Sequence, residues 1–160
     1  MMSHNVVEKI RQVLEPRLRK VPARVFVTRQ DGVSLFDSVQ DTGSQSISAL
    51  VSGVWQASEA LMGFVNKSEE VLDYRFSFDT SSNGIFLFPL EHRGAKFYLG
   101  AIYDNCLNPA LLKRQMAVLK DELQTEISLV EEKPLKERNG FLFQEISDAE
   151  MDRLFGEGRI

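Results

Sequence analysis

One stretch constrains the fold more than any other: Ser44 to Asn66, SQSISALVSGVWQASEALMGFVN. Wound at 3.6 residues per turn, it places Ile47, Leu50, Val51, Val54, Ala57, Leu61 and Val65 on one side, flanked by Trp55, Met62 and Phe64. The opposite side carries Ser48, Ala49, Ser52, Gln56, Glu59, Ala60 and Gly63. Glu59 is the only charge in the stretch, in a chain that is 26% charged. A water-facing helix back normally carries Lys, Glu and Arg; small residues in their place let another backbone come close. The pattern predicts a helix covered on both sides, its apolar side by its own sheet and its small-residue side by a partner. Seven Ser or Gln positions, Glu59 and two glycines make it too polar for a membrane span of ~20 residues. A fully buried central helix of a monomer, or a merely wetted face, are the other readings of the same residues.

The rest of the composition narrows the class. At 160 residues the chain is long enough for one domain with a tail. A net charge of −4 argues against nucleic acid as the main partner. The basic cluster Lys9, Arg11, Arg17, Arg19, Lys20 and Arg24 reads as a solvated helix face. The single Cys106 excludes an internal disulfide and fits a reducing compartment. Without a signal-peptide pattern at the start, the expected location is the cytoplasm.

The periodicity along the chain predicts alternating helices and hairpins. Residues 4–15 form a short helix through Val7, Ile10 and Leu14, ended by Pro16 and Pro22. Arg24–Arg29 and Val33–Val39 form a half-buried hairpin turned at Gln30-Asp31-Gly32. Thr42 and Gln45 have capping-box spacing at the start of the long helix. Three strands follow: Leu72–Asp79, with Tyr74, Phe76 and Phe78 on one face; Ile85–Leu90, apolar throughout and so covered on both faces; and Ala95–Tyr103. Asn108-Pro109 opens a last long helix with the stripe Leu112, Met116, Leu119, Leu123 and Ile127. The expected boundaries are a domain over 1–129, a charged linker over 130–140 and a tail over 141–160. In the tail, Ser147 and Glu150 make a capping box ahead of a mini-helix of about two turns. Its apolar residues (Phe143, Ile146, Met151, Leu154 and Phe155) need a dock, on this domain or on another protein.

The element order implies an α+β fold with a single antiparallel sheet flanked by helices on both faces. That order resembles the roadblock / dynein light-chain family, and within it the MglB-type bacterial regulators. The likeness lies in the hairpin VFVTRQDGVSLFDSV, the helix ALVSGVWQASEALMGF, the strands FSFDT, GIFLFPLE and KFYLGAIYDN, and the helix after them, over about residues 5–127. Trp55, Pro89 and the Gln56–Glu59 pair depart from the family pattern. The resemblance implies a roadblock/profilin-like five-stranded sheet in the order 2-1-5-4-3. It implies a homodimer joined through the third strands and the long helices, here at Ala49, Gly53, Tyr74, Phe76 and Phe78. It further implies that the helix-lined face of the dimer binds a Ras-like small GTPase, which hydrolyses GTP with its own residues, in the control of cell polarity or motility at a cell pole. Carried over by position, the partner-facing residues are Ser52, Gln56, Glu59, Ala60 and Gly63.

No catalytic constellation is visible in the sequence. His4 and His92 are far apart and read as surface residues, and Cys106 as a small semi-buried side chain. Neither a phosphate-binding glycine loop nor a nucleophile elbow occurs. Arg93 reads as a solvated turn residue rather than an arginine finger. The expectation is therefore a non-enzymatic regulator or scaffold without cofactor or metal. A small acidic secretion chaperone binding an effector segment is the alternative, and a small-molecule sensor or enzyme the third reading. Whether a regulator of this kind accelerates hydrolysis, promotes exchange or only scaffolds is not encoded in these motifs.

Overall fold

A hairpin and a three-stranded meander of β-branched and aromatic residues, joined through one long helix, build a single antiparallel sheet. The structure, a computed structural model, describes residues 4–65 and 74–131. In chain order the elements are α1 (His4–Leu14), a 3-10 turn (Leu18–Lys20), β1 (Arg24–Arg29), β2 (Ser34–Asp37), α2 (Ser44–Val65), β3 (Phe76–Asp79), β4 (Gly84–His92), β5 (Ala95–Tyr103) and α3 (Pro109–Ser128). The strand order is β2-β1-β5-β4-β3, the order that the resemblance implied.

The sheet separates two apolar layers. On one face Val25, Val27, Phe86, Phe88, Leu90, Phe97 and Leu99 meet α1 and α3. The whole predicted stripe of α3 (Leu112, Met116, Leu119, Leu123 and Ile127) is buried there, as are Val6, Ile10 and Leu14 of α1. Asn108 caps α3 as expected, its side-chain oxygen accepting from the Leu111 N–H at 3.0 Å. On the other face Phe26, Leu87 and Tyr98 meet Val51 and Trp55 of α2. β4 is thus covered on both faces, as its unbroken apolar run requires.

β1 departs from expectation: Val25, Phe26, Val27 and Thr28 are all buried, so it is a two-sided core strand rather than half of an open hairpin. Its place between β2 and β5 explains this, since helices lie over both faces of the sheet centre. Gly100 makes the crossing of layers possible. A Cβ there would land within the Phe26 ring, so only glycine lets Phe26 lie flat across β5. Gly32, at φ 84°, takes the left-handed conformation of the β1–β2 turn, and a Cβ there would come within 3.1 Å of the Ala49 Cα. The hairpin tip therefore rests directly on α2.

His92 is also buried, at the end of β4, and not a surface residue. Its place in a nine-residue strand longer than the expected Ile85–Leu90 carries it under cover. Beyond Glu131 the expected linker and the tail helix, with Phe143, Ile146, Met151, Leu154 and Phe155, lie outside the described residues.

Candidate partner-binding surface

The orientation of α2 reverses part of the sequence reading. The side set against the sheet is Ser48, Val51, Ser52 and Trp55, all buried. Of the predicted core stripe, Val51 is buried and Ile47 packs beside it, but Leu50, Leu61 and Val65 are 70%, 67% and 74% exposed, Val54 and Ala57 are exposed as well, and the flanking Phe64 is 83% exposed.

Specific polar contacts fix this inversion. The Ser52 hydroxyl donates to the Gln30 carbonyl at the tip of the β1–β2 hairpin. The Gln56 amide donates to the same carbonyl at 3.1 Å and to the Ser52 oxygen at 2.9 Å. Two turns before Ser52, the Gln45 amide donates to the Gly32 carbonyl at 2.8 Å. Gln45, expected to close a capping box with Thr42, thus reaches across to the turn, while the Gly43 N–H is taken by Asp41 at 2.9 Å. Glu59 pairs with Lys96 of β5 at 3.6 Å. Trp55 stacks on Tyr98, with ring centroids 4.8 Å apart and planes 27° apart. Burial, reinforced by the Glu59 charge, pushes the Tyr98 phenol up to about 12, so it stays protonated. Polar residues on α2 therefore hold the backbone carbonyls of the hairpin turn, and a tryptophan supplies the apolar bulk beneath the helix.

A charge cluster holds the start of α2. Arg24 donates to Asp37 at 2.7 Å and to Asp41 at 2.8 Å, and its guanidinium also reaches the Ser44 hydroxyl at 3.3 Å. These hydrogen bonds raise the Arg24 pKa and lower that of Asp41. At the far end of the sheet, Asp79 of β3 accepts from Lys113 of α3 at 2.5 Å and from Tyr103 at 3.3 Å, with Lys113 holding the Asp79 carboxyl below its ordinary value.

Of the residues carried over as partner-facing, Gln56, Ala60 and Gly63 are exposed, Glu59 is half-buried in its ion pair, and Ser52 is buried beneath the helix. Ser52 cannot offer its side chain outward, because its hydroxyl is held by the hairpin. Of the residues assigned to a dimer contact, Ala49, Gly53 and Phe78 are exposed, and Tyr74 and Phe76 are half-buried. A Cβ added at Gly53 or Gly63 meets nothing within 4 Å, so the packing of this chain does not require glycine at either position. The large outward residues Leu50, Val54, Leu61, Phe64 and Val65 were missed as surface residues. The Ser52–Gln56 pair, one turn apart on the helix, was the available signal, since both side chains can reach one backbone carbonyl.

The result is an outer helix surface without a free charge. It continues to one margin of the sheet, where β3 is bonded to β4 alone and Phe78 is 75% exposed. Between the C-terminal half of α2 and β3 lies a cavity of about 200 Å³ lined by Trp55, Ser58, Glu59, Met62, Tyr74, Arg75 and Phe76. Among the described residues, no group of three His, Cys, Asp or Glu comes together to hold a metal, and no helix is long and apolar enough to cross a membrane.

The sequence matches no family model and no curated protein. Solved structures share the fold. Myxococcus xanthus MglB superposes with a TM-score of 0.64 at 19% identity, over 83% of this chain and 98% of that one. An MglB described as having a tetrameric arrangement gives 0.62 at 15% identity, over 79% and 93%. A Roadblock/LC7 domain from Streptomyces avermitilis gives 0.53 at 16% identity, over 71% and 93%. The chain therefore has the roadblock fold, in the form seen in MglB structures.

Proposed function

We propose, with the roadblock fold as premise, that this chain is a non-catalytic homodimeric regulator or scaffold that binds a Ras-like small GTPase and modulates its nucleotide state. The observation that carries the reading is the outer face of α2. A helix that turns Leu50, Val54, Leu61, Phe64 and Val65 outward and offers no unpaired charge is an interface, not a solvated back. Covering each such side chain contributes about 1.5–3 kcal/mol. The open glycines Gly53 and Gly63 allow a second backbone to come close.

One twofold axis satisfies both exposed features. It pairs the free edge of β3 with its own copy and sets two α2 helices side by side on one face of the continuous sheet. Leu50, Val54 and Leu61, with Ala49 and Gly53, then form the helix-to-helix contact. The flank that carries Gln56, Ala60 and Gly63 remains open to the GTPase, with Glu59 held beside it by Lys96. Tetrameric arrangement in one structure of the same fold supports self-association. A cytoplasmic site of action, at a cell pole, belongs to the same reading, as does a role in polarity or motility.

The test is a pull-down with purified Ras-like GTPases of the same organism, loaded with GTP or GDP, followed by a hydrolysis assay. Saturable binding that depends on the nucleotide is expected, and Ala60→Arg should abolish it while leaving the fold intact. Equal recovery of wild type and Ala60→Arg would show that the GTPase contacts lie elsewhere. Capture of a partly unfolded effector, with no GTPase bound, would replace the proposal with the chaperone reading.

A further inference from the structure

The cavity between α2 and β3 has a volume of about 200 Å³; Trp55, Met62, Tyr74 and Phe76 give it a mostly apolar wall, completed by Ser58, Glu59 and Arg75. An apolar cavity of about 150 Å³ accommodates a benzene molecule, so this one has room for a phenyl ring. It opens beside β3, whose outer edge has no strand partner among the described residues. Two residues along that strand from Phe76 stands Phe78, 75% exposed.

Strand alternation fixes which way Phe78 faces. Phe76 packs with the Trp55–Tyr98 layer under α2, so Phe78, two residues on, belongs to the same face of the sheet. An edge strand that pairs with its own copy about a twofold axis must run antiparallel to it. If Phe76 lies on the axis, Phe78 stands opposite the second copy's Tyr74; if Ser77 does, it stands opposite the second copy's Phe76. Both of those residues line the cavity. In either register the exposed ring of one copy reaches the mouth of the cavity of the other.

We infer that Phe78 of a second copy of this chain fills the cavity lined by Trp55, Met62, Tyr74 and Phe76, so that each copy completes the other's apolar layer. This rests on the homodimer reading and adds to it a specific occupant. The exchange is reciprocal, so two rings are buried for one strand pairing. It also explains why a phenylalanine stands in the open on an edge strand, where charged residues ordinarily discourage pairing.

The experiment uses the full chain in a mixed dimer. One copy is deuterated except for protonated 13C-methyl methionine, so that its own rings carry no protons, with the Met62 signal assigned through Met62→Leu, and the other is protonated and unlabelled. Sedimentation equilibrium on the same sample fixes the oligomeric state. The expected result is a dimer with an intermolecular NOE from the Met62 methyl to phenyl ring protons, lost when the unlabelled copy carries Phe78→Ala. Phe78→Ala should also raise the dimer dissociation constant about thirtyfold, as expected for a buried aromatic anchor. A dimer without that NOE, or with an NOE that survives Phe78→Ala, overturns this inference and leaves the homodimer reading standing. Sedimentation at the mass of one chain overturns the homodimer reading itself.

Discussion

The two faces of the sheet are covered by helices of opposite design. On one face α1 and α3 turn apolar stripes inward and charges outward, and Lys9–Glu126 at 3.2 Å and Arg17–Glu122 join them along the surface. On the other face α2 turns two serines, a valine and a tryptophan inward and leaves leucines and a phenylalanine outward. The first design finishes a core. The second leaves apolar surface unsatisfied and uses its polar residues to hold the tip of the β1–β2 hairpin. A stripe of apolar residues says that something covers it, but not whether the cover is the same chain or another.

Substitution should separate these designs most sharply in the closed layer. Met116→Ala removes a fully buried side chain from the face under α3 and should cost about 2–5 kcal/mol of unfolding free energy. Leu61→Ser, on the outer face of α2, should change the stability of the isolated chain by less than about 0.5 kcal/mol. Denaturant titrations at concentrations low enough to keep chains apart check both. Equal losses would show that α2 is packed like the other helices.

A smaller effect separates two serines on the inner side of α2. Ser52→Ala takes away the hydroxyl donated to the Gln30 carbonyl and should cost about 1–2 kcal/mol. Ser48→Ala should cost nothing or stabilise slightly, because the buried Ser48 oxygen has no hydrogen-bond partner among the described residues. Thermal unfolding of the two variants side by side decides the matter, and the reverse ranking would refute the assigned contact.

The smallest expected effect is electrostatic. Lys113 holds the Asp79 carboxyl below its ordinary value of 3.8. The folded-state pKa is depressed, so the contribution of Asp79 to stability is complete above that value. It is lost as pH falls below 3.8 and through the lower folded value. Asp79→Asn should thus be less stable than wild type at neutral pH, with the gap closing as the solution is acidified below pH 4. A gap that persists unchanged at low pH would show that the pair contributes through packing alone.

These comparisons also explain what the sequence could and could not reveal. The stripe of α3 and the Asn108 cap were legible because the partners of both lie in the same chain, and period and spacing then suffice. The strand order came only with the family resemblance, since hydrophobic alternation does not say which strands are neighbours. The facing of α2 was misread because its bulkiest residues were assumed to seek its own sheet. Trp55, treated as a flank, proved to be the inner anchor, and Ser52, read as part of the small-residue partner-facing side, is buried, whereas Gln56 is exposed as expected and only its amide reaches back to the hairpin. The carbonyl that holds them belongs to Gln30, more than twenty residues earlier, and no local pattern reports it. The residues assigned to a partner surface therefore lie on a helix whose facing the sequence reading had in part reversed.

The central claim is that the outer face of α2 is covered by a second copy in solution. Sedimentation equilibrium of wild type and of Leu61→Arg, with circular dichroism to monitor folding, tests it most directly. The account predicts twice the chain mass for wild type and one chain mass for a fully folded Leu61→Arg. Wild type at one chain mass across the accessible concentration range, or an undiminished dimer in Leu61→Arg, would contradict it.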